Sequence, residues 1–310
     1  MALLEEYVQW LLAHGGSFEG LKFAVDCSDG SAGILAGRLF PGAVLINDVP
    51  DGRFPHHSPN PLKAEAREQL AAVVRGDGLD CGLIFDGDAD RVMFVDENGD
   101  FIQPDYLIPV LAGTFRGPDG SLPRGADGSA PAVIHDVRTS RAATERLEAD
   151  GFRPVMGKVG HAYAKVLLRK TGAICGGELA GHYYFRDFVF CDSGELAALR
   201  ILGAFAAAKR LGASVSAFMA PLLGRYANSG EVNFEVSDKP AAIRRVLSAA
   251  ATFAEETGRS EIDGYRIEFR EGWISVRQSN TEPLLRLIVE CDSRSRMEDW
   301  LSSLSSAIRG

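Results

Sequence analysis

The stretch GLIFDGDADRVMFVDENGD, residues 82–100, opens as a short apolar run and then sets Asp86, Asp88 and Asp90 at alternate positions, with Arg91 directly behind them. Two carboxylates held about 4 Å apart repel by about 4 kcal/mol at an effective dielectric near 20. A chain that keeps three together needs a positive partner for them. The flanking segments GLIFD and RVMFVDENGDFI read as two strands, and Asn98-Gly99 as a hairpin turn beyond the second.

A solvated turn between strands is the plain alternative. An EF-hand is a sharper one, since Asp86, Asp88, Asp90 and Glu97 fall at its positions 1, 3, 5 and 12. Position 6 is Arg91 where that loop needs Gly, and the flanks are strand-like, so the EF-hand is rejected. An aspartyl nucleophile of the haloacid-dehalogenase kind is a further alternative, with Ala89 where such loops usually carry Thr or Val. What remains is a loop whose carboxylates converge on one hard cation, Mg²⁺ being favoured where a phosphate adds a ligand. Arg91 could fork onto the same phosphate.

The chain of 310 residues, 46% hydrophobic, has room for two or three domains. No apolar run reaches 18 residues, and the start MALLEEYVQWLLAHGG reads as an amphipathic helix, not a signal peptide. Five scattered cysteines argue against a disulfide framework and for a reducing, cytoplasmic setting. A net charge of −9 disfavours nucleic acid or an acidic membrane surface as partner.

The pattern predicts an α/β chain in three parts. Residues 1–100 hold the strands LKFAVDCS and CGLIFD around the helix PLKAEAREQLAAVVRG. Residues 101–222 restart the alternation with helix YLIPVLAGTF, the Gly/Pro-rich loop RGPDGSLPRGADGSAP and strand AVIHDV. Two helices follow, and the long helix SGELAALRILGAFAAAKRLG closes the part. Residues 223–310 change style to a small α+β domain, with strand GEVNFEV, a helix over KPAAIRRVLSAAATFAEETG, two further strand segments and a final helix.

Three further constellations carry chemistry. GGELAGHYYFRD, residues 176–187, places Glu178 and His182 in a Gly-rich loop after an apolar strand. There a carboxylate can accept two sugar hydroxyls and an imidazole can move protons near neutrality. GKVGHAYAK, residues 157–165, supplies Lys158, His161 and Lys165 at a helix start. VRQSNTEPLLR, residues 276–286, offers Arg277, Ser279, Asn280 and Thr281 between two strands, a phosphate cradle in a chain with no P-loop motif. Each alone also reads as an ordinary polar turn or a capped helix; together they describe cation, hydroxyl and phosphate recognition.

With these motifs in this order, the chain resembles the α-D-phosphohexomutases, the phosphomannomutase/phosphoglucomutase family. DGDADR is similar to its metal loop, GELAGH to its sugar loop, RQSNTEP to its phosphate loop, and VGHAYAK and DGRFPHHSPNPLK to further segments. The resemblance implies two consecutive α/β phosphohexomutase-type domains followed by a small C-terminal α+β domain. It also implies interconversion of hexose 1- and 6-phosphates through a hexose 1,6-bisphosphate intermediate, by exchange with a phosphoserine. By that likeness Asp86, Asp88 and Asp90 hold Mg²⁺, with Arg91 beside it. Glu178 reads sugar hydroxyls, and Arg277, Ser279, Asn280 and Thr281 grip the non-reacting phosphate. Arg138, Lys158 and His161 add substrate contacts, and His182 is a candidate proton carrier.

Two departures accompany the likeness. Ala180 stands where the sugar loop usually has Ser, which removes one neutral hydrogen bond worth about 0.5–1.5 kcal/mol. No Ser-His pair occurs in the 310 residues, so the phosphoserine loop of the family's first domain is not among them. Ser58, in HHSPNP, reads as a turn residue. The expected partners are therefore a hexose phosphate and either a separate phosphoserine-domain chain or a second copy, with no nucleic acid and no membrane. The alternatives are a catalytically inactive hexose-phosphate sensor and, more weakly, a metal-dependent sugar-phosphate phosphatase.

Overall fold

The computed structural model describes residues 2–124, 128–279 and 283–310. Three sheets follow one another along the chain. The first unit runs α1 (Ala2–His14), β1 (Phe23–Asp26), α2 (Ala36–Leu39), β2 (Val44–Ile46), α3 (Ala64–Gly76), β3 (Cys81–Phe85), β4 (Val92–Asp96) and β5 (Phe101–Ile102). Its sheet has the order β2-β1-β3-β4-β5, with β2, β1 and β3 parallel and β4 and β5 antiparallel. β1, β3 and β4 are buried along their whole length, which is why their sequences are apolar runs, closed in β1 and β4 by the buried Asp26 and Asp96. α3 turns Ala66, Leu70, Ala71 and Val74 inward at helical spacing. Gly82 of β3 lets it approach, because a Cβ there would sit 2.7 Å from Leu70.

The second unit holds α4 (Leu107–Gly113), β6 (Ala132–Asp136), α5 (Arg141–Ala149), β7 (Arg153–Gly157), α6 (His161–Thr171), β8 (Cys175–Gly177), β9 (Tyr183–Phe185), β10 (Cys191–Asp192), α7 (Gly194–Arg210) and α8 (Val215–Leu223). Its order is β7-β6-β8-β9-β10, again three parallel strands and two antiparallel ones. The two sheets thus repeat one topology, and the β3–β4 turn of the first corresponds to the β8–β9 turn of the second. Both expected site motifs, DGDADR and GELAGH, occupy these equivalent turns. One hydrophobic core runs through both units, from Val8 and Phe85 to Leu107 and Phe205. Glu97, the residue at EF-hand position 12, accepts from Ser216 at the start of α8, so the structure has no EF-hand loop here.

The third unit has β11 (Ala227–Asn228), β12 (Val232–Glu235), α9 (Lys239–Ala250), β13 (Glu256–Ser260), β14 (Tyr265–Phe269), β15 (Gly272–Gln278), β16 (Leu284–Cys291) and α10 (Arg294–Arg309). Every strand pairs antiparallel, and a separate core holds Ile243, Val246, Leu287 and Trp300. The sequence predicts one helix through Gly258. α9 instead ends at Ala250, and Glu256–Ser260 pairs with β14 as an edge strand. Sheet pairing overrides helix propensity over those residues. The α/β architecture, two larger units and one small one, is the expected one.

The third unit grips the turn that follows β6. Arg266 stacks 3.7 Å over Trp273 and donates to the carbonyls of Val137 and Thr139, each at 2.8 Å. Glu290, fully buried, accepts from Arg141 N at 2.9 Å and Trp273 Nε1 at 2.6 Å.

Beneath the β3–β4 turn the 47–61 loop is pinned through His57. Its Nδ1 lies 2.9 Å from the Ser58 carbonyl and its Nε2 3.1 Å from Asp26 Oδ2. Both ring nitrogens meet acceptors, which favours the cation. The hydrogen bond to Asp26 raises the His57 pKa, with burial opposing.

Two outcomes are expected. Gly176→Ala places a Cβ 2.1 Å from Ile134 Cγ1 and 2.4 Å from its carbonyl oxygen. It should lower unfolding stability by about 1–3 kcal/mol in urea, while Gly37→Ala, open on all sides, should not. The stability lost in His57→Gln should be largest below about pH 6.5. It should shrink as pH rises through the raised folded-state value, because the extra proton of the native state is then no longer bound. Denaturation midpoints of both chains across that range check it; a difference growing with pH would exclude the imidazolium.

Candidate active site

The β3–β4 turn delivers its three aspartates from a tightly constrained loop. Ala89 has φ +62°, a region that side chains rarely adopt, and is buried at 2% exposure. Gly194 abuts it, since a Cβ there would meet the Ala89 carbonyl at 2.5 Å. Asp86, Asp88 and Asp90 bring carboxylate oxygens within 4.8 Å of one another, an all-oxygen donor set that fits a hard divalent cation. Burial pushes Asp86 up to about 6, with the Arg91 guanidinium pulling it down and Asp90 adding to the rise. Arg91 Nε reaches Asp86 Oδ2 at 2.6 Å and lies 3.7 Å from Asp90. Arg91 is thus partnered within the loop rather than extended into open space.

The β8–β9 turn meets this loop directly. Arg91 and His182 form an antiparallel backbone bridge, and Val92 N donates to the Gly181 carbonyl at 3.2 Å. His182 Nδ1 lies 3.0 Å from Asp192 Oδ2 and 3.7 Å from Asp90 Oδ1. Asp90, His182 and Asp192 form a second cluster of metal-ligand type beside the first. Burial lowers the imidazole pKa, but Asp192, Asp90 and Glu178 outweigh it and the net shift is upward. Lys165 Nζ closes on Asp192 Oδ1 at 2.8 Å. Burial would raise Asp192, yet His182 and Lys165 hold its carboxyl far below the usual range.

Glu178 sits at the other end of the same turn, 3% exposed. Its Oε1 accepts from Tyr184 OH at 2.9 Å and from Gly160 N at 3.3 Å, and its Oε2 is 3.7 Å from Arg138 Nη2. Burial and then Asp136 raise its pKa, with Arg138 and His182 opposing. Arg138 is buried and forks onto Asp136, at 2.7 Å through Nη2. Its Nη1 lies 3.8 Å from Glu231. Arg277, 2% exposed, donates to Glu231 Oε2 at 3.0 Å.

These contacts make one continuous path from the aspartate loop, through the β8–β9 turn and Arg138, to the third unit. Lys158 and His161 lie at its margin. Both are exposed, with Lys158 Nζ 5.4 Å above the Tyr163 ring and the His161 ring 6.0 Å from that of His182. Val159 N, between them, donates to Asp263 of the third unit at 3.1 Å. Ser279 begins the β15–β16 turn and bonds through its N–H to Leu284 O at 2.9 Å. Asn280 and Thr281 lie outside the described residues. Sequence reasoning missed Asp136, Asp192 and Glu231. Asp192 directly precedes Ser193, the N-cap of α7, and Glu231 directly precedes β12; neither position carries a local pattern.

Three family models match the chain: phosphoglucomutase/phosphomannomutase alpha/beta/alpha domain II over residues 5–99, domain III over 103–226, and the C-terminal domain over 231–305. A phosphomannomutase of Vibrio cholerae is 35% identical over 100% of this chain and 66% of its own length. A protein of Xanthomonas campestris described as phosphohexose mutases is 34% identical over 98% and 66%. The crystal structure of a phosphoglucomutase/phosphomannomutase family protein from Burkholderia thailandensis superposes with a TM-score of 0.83 at 28% identity, over 98% of this chain and 64% of that one. The chain therefore spans about two thirds of the length of the relatives it matches. It belongs to the phosphoglucomutase/phosphomannomutase family of α-D-phosphohexomutases, of which it carries domains II, III and the C-terminal domain.

Proposed function

We propose that these residues form the metal-, sugar- and phosphate-holding part of a phosphohexomutase that interconverts hexose 1-phosphate and 6-phosphate through a 1,6-bisphosphate. The observation that carries this reading is the path of contacts from Asp90 to Arg277 across all three units, ion pairs joined between His182 and Glu178 by a backbone bond from Glu178 N to the His182 carbonyl at 3.0 Å. A substrate with phosphates at its two ends needs cationic recognition at one end, a metal at the other and hydroxyl-reading groups between. Asp86, Asp88 and Asp90 would hold Mg²⁺, which supplies positive charge to the oxygens of the transferring phosphoryl group.

The remaining roles belong to the chain's own side chains. Arg277 and Ser279, with Asn280 and Thr281, bind the phosphate that does not react. Arg138, held flat by Asp136, and Glu178, held by Tyr184, orient the hexose from beneath. Lys158 and His161 close on it from the exposed margin. Arg91 keeps Asp86 aligned and adds charge beside the transferring group. With His182 Nδ1 turned to Asp192, its Nε2 is the atom left to give a proton to, or take one from, a sugar hydroxyl. The phosphoryl carrier is a phosphoserine supplied from outside residues 1–310, by another chain or by other residues of the same polypeptide. A hexose-phosphate sensor is the second reading; Ala180 in the sugar loop favours it.

The test is to supply glucose 1-phosphate or mannose 1-phosphate, Mg²⁺ and a trace of the 1,6-bisphosphate, with and without a polypeptide bearing a phosphoserine loop. The expected result is hexose-phosphate binding by the chain alone, lost in Arg277→Ala, and 6-phosphate formation only when the loop is added. Binding with no turnover under either condition leaves the sensor; no binding removes both readings. Asp88→Asn should weaken Mg²⁺ at least tenfold in calorimetry, since one of three ligand charges is removed, and unchanged Mg²⁺ affinity would displace the metal from this loop.

A further inference from the structure

Glu231 stands directly before β12, where the third unit faces the second. Its single carboxylate meets three guanidinium groups from three places in the chain. Oε1 is 2.7 Å from Arg286 Nη1; Oε2 is 3.0 Å from Arg277 Nη2 and 3.8 Å from Arg138 Nη1. Arg277 and Arg286 are directly opposite one another in the β15–β16 ladder. Like charges in that position repel. β12 runs alongside β16, with Asn233 opposite Arg286, and so brings the carboxylate of Glu231 to both arginines.

Arg277 is almost wholly buried, and its Nε is without a hydrogen-bond partner among the described residues. A buried cation with a spare donor is costly unless something accepts from it. Glu231 occupies only its Nη2. The side chain is thus fixed at one nitrogen while its buried Nε donor is left without an acceptor among the described residues. Around this point three arginines (Arg138, Arg277 and Arg286) face three carboxylates (Asp136, Glu178 and Glu231). The set is balanced before any ligand arrives.

We propose that Glu231 is a positioning residue for the phosphate site. It aims Arg277, relieves its repulsion with Arg286, and ties both to Arg138, so that the C-terminal unit meets the sugar end of the ligand in register. The inference rests on Arg277 being a phosphate-binding group, as in the reading above. Its ligand class is a phosphate monoester anchored through its non-reacting phosphate.

Calorimetric titration of the 310-residue chain with glucose 1-phosphate, with inorganic phosphate and with Mg²⁺ tests it. Glu231→Gln keeps the shape and removes the charge. It should weaken both phosphate probes about tenfold and leave Mg²⁺ affinity at the aspartate loop unchanged, because the charge-assisted hold on Arg277 is lost. Glu231→Asp, which restores the charge, should recover affinity to within about threefold. A general loss of structure would instead move Mg²⁺ as well. In that event the double variant Glu231→Gln/Arg286→Gln, with one charge of each sign removed, carries the test and should again bind phosphate about tenfold more weakly. Phosphate affinity equal to or above that of the parent chain in whichever of these variants keeps Mg²⁺ affinity would overturn the proposal and make Glu231 a bystander or a competitor. A parent chain that binds neither phosphate probe would remove the phosphate reading of Arg277, and the proposal with it.

Discussion

Everything at the site depends on two hairpin turns being sewn together by backbone. The Arg91–His182 bridge and the bond from Val92 N to the Gly181 carbonyl fix the β3–β4 turn against the β8–β9 turn, which are equivalent corners of two sheets of one topology. Because the bridge is made by main chain, the relative placement of the two turns does not depend on flexible side chains. The aspartate loop lies on one side of that seam and the Glu178–His182 loop on the other. The shared hydrophobic core behind them keeps the two sheets from sliding.

The third unit is attached differently. It has its own core, and its grip on the rest combines a small apolar contact of Leu179 with Trp273 and Ile288 with buried polar groups: Arg266 on two carbonyls, Glu290 on Arg141 N, and Glu231 on Arg138. Buried ion pairs contribute little net stability, because desolvation offsets most of the attraction. They do specify geometry, since a buried charge tolerates few alternative partners. A larger hydrophobic seam in place of these ion pairs would bind this unit more strongly and orient it less sharply. The buried polar contacts therefore specify how the third unit is placed relative to the other two.

The sequence disclosed those parts of the site whose chemistry is local. Asp86, Asp88 and Asp90 converge because alternate positions of one turn face one point, and that is visible in six letters. The paired sheets were foreshadowed by alternating apolar runs, buried on both faces as expected of central strands. Asp192 and Glu231 were invisible because their partners lie in other elements, as Glu231 lies 46 and 55 positions from Arg277 and Arg286; Asp136 pairs with Arg138 two residues on, and was missed because nothing local marks a strand-end aspartate as the group that orients it. The helix read through Gly258 fails similarly, because β14 offers hydrogen bonds that only the folded sheet reveals. Local pattern finds ligands that are neighbours in sequence; it does not find what orients them.

That division has a physical consequence for the aspartate loop. Ala89 adopts a left-handed backbone at φ +62° within a loop carrying three carboxylates, and both features oppose folding locally. The surroundings hold the loop in place. Arg91 neutralises Asp86, Gly194 at the start of α7 leaves the Ala89 carbonyl room, and Phe54 of the His57-pinned segment packs against Gly87 at 3.2 Å from a would-be Cβ. Arg91 belongs to the loop itself, whereas Gly194 and Phe54 support it from other elements. A strained loop held by its own arginine and by neighbouring elements keeps its three carboxylates within 4.8 Å of one another with no ligand present, so the ordering cost is met by folding and not by binding.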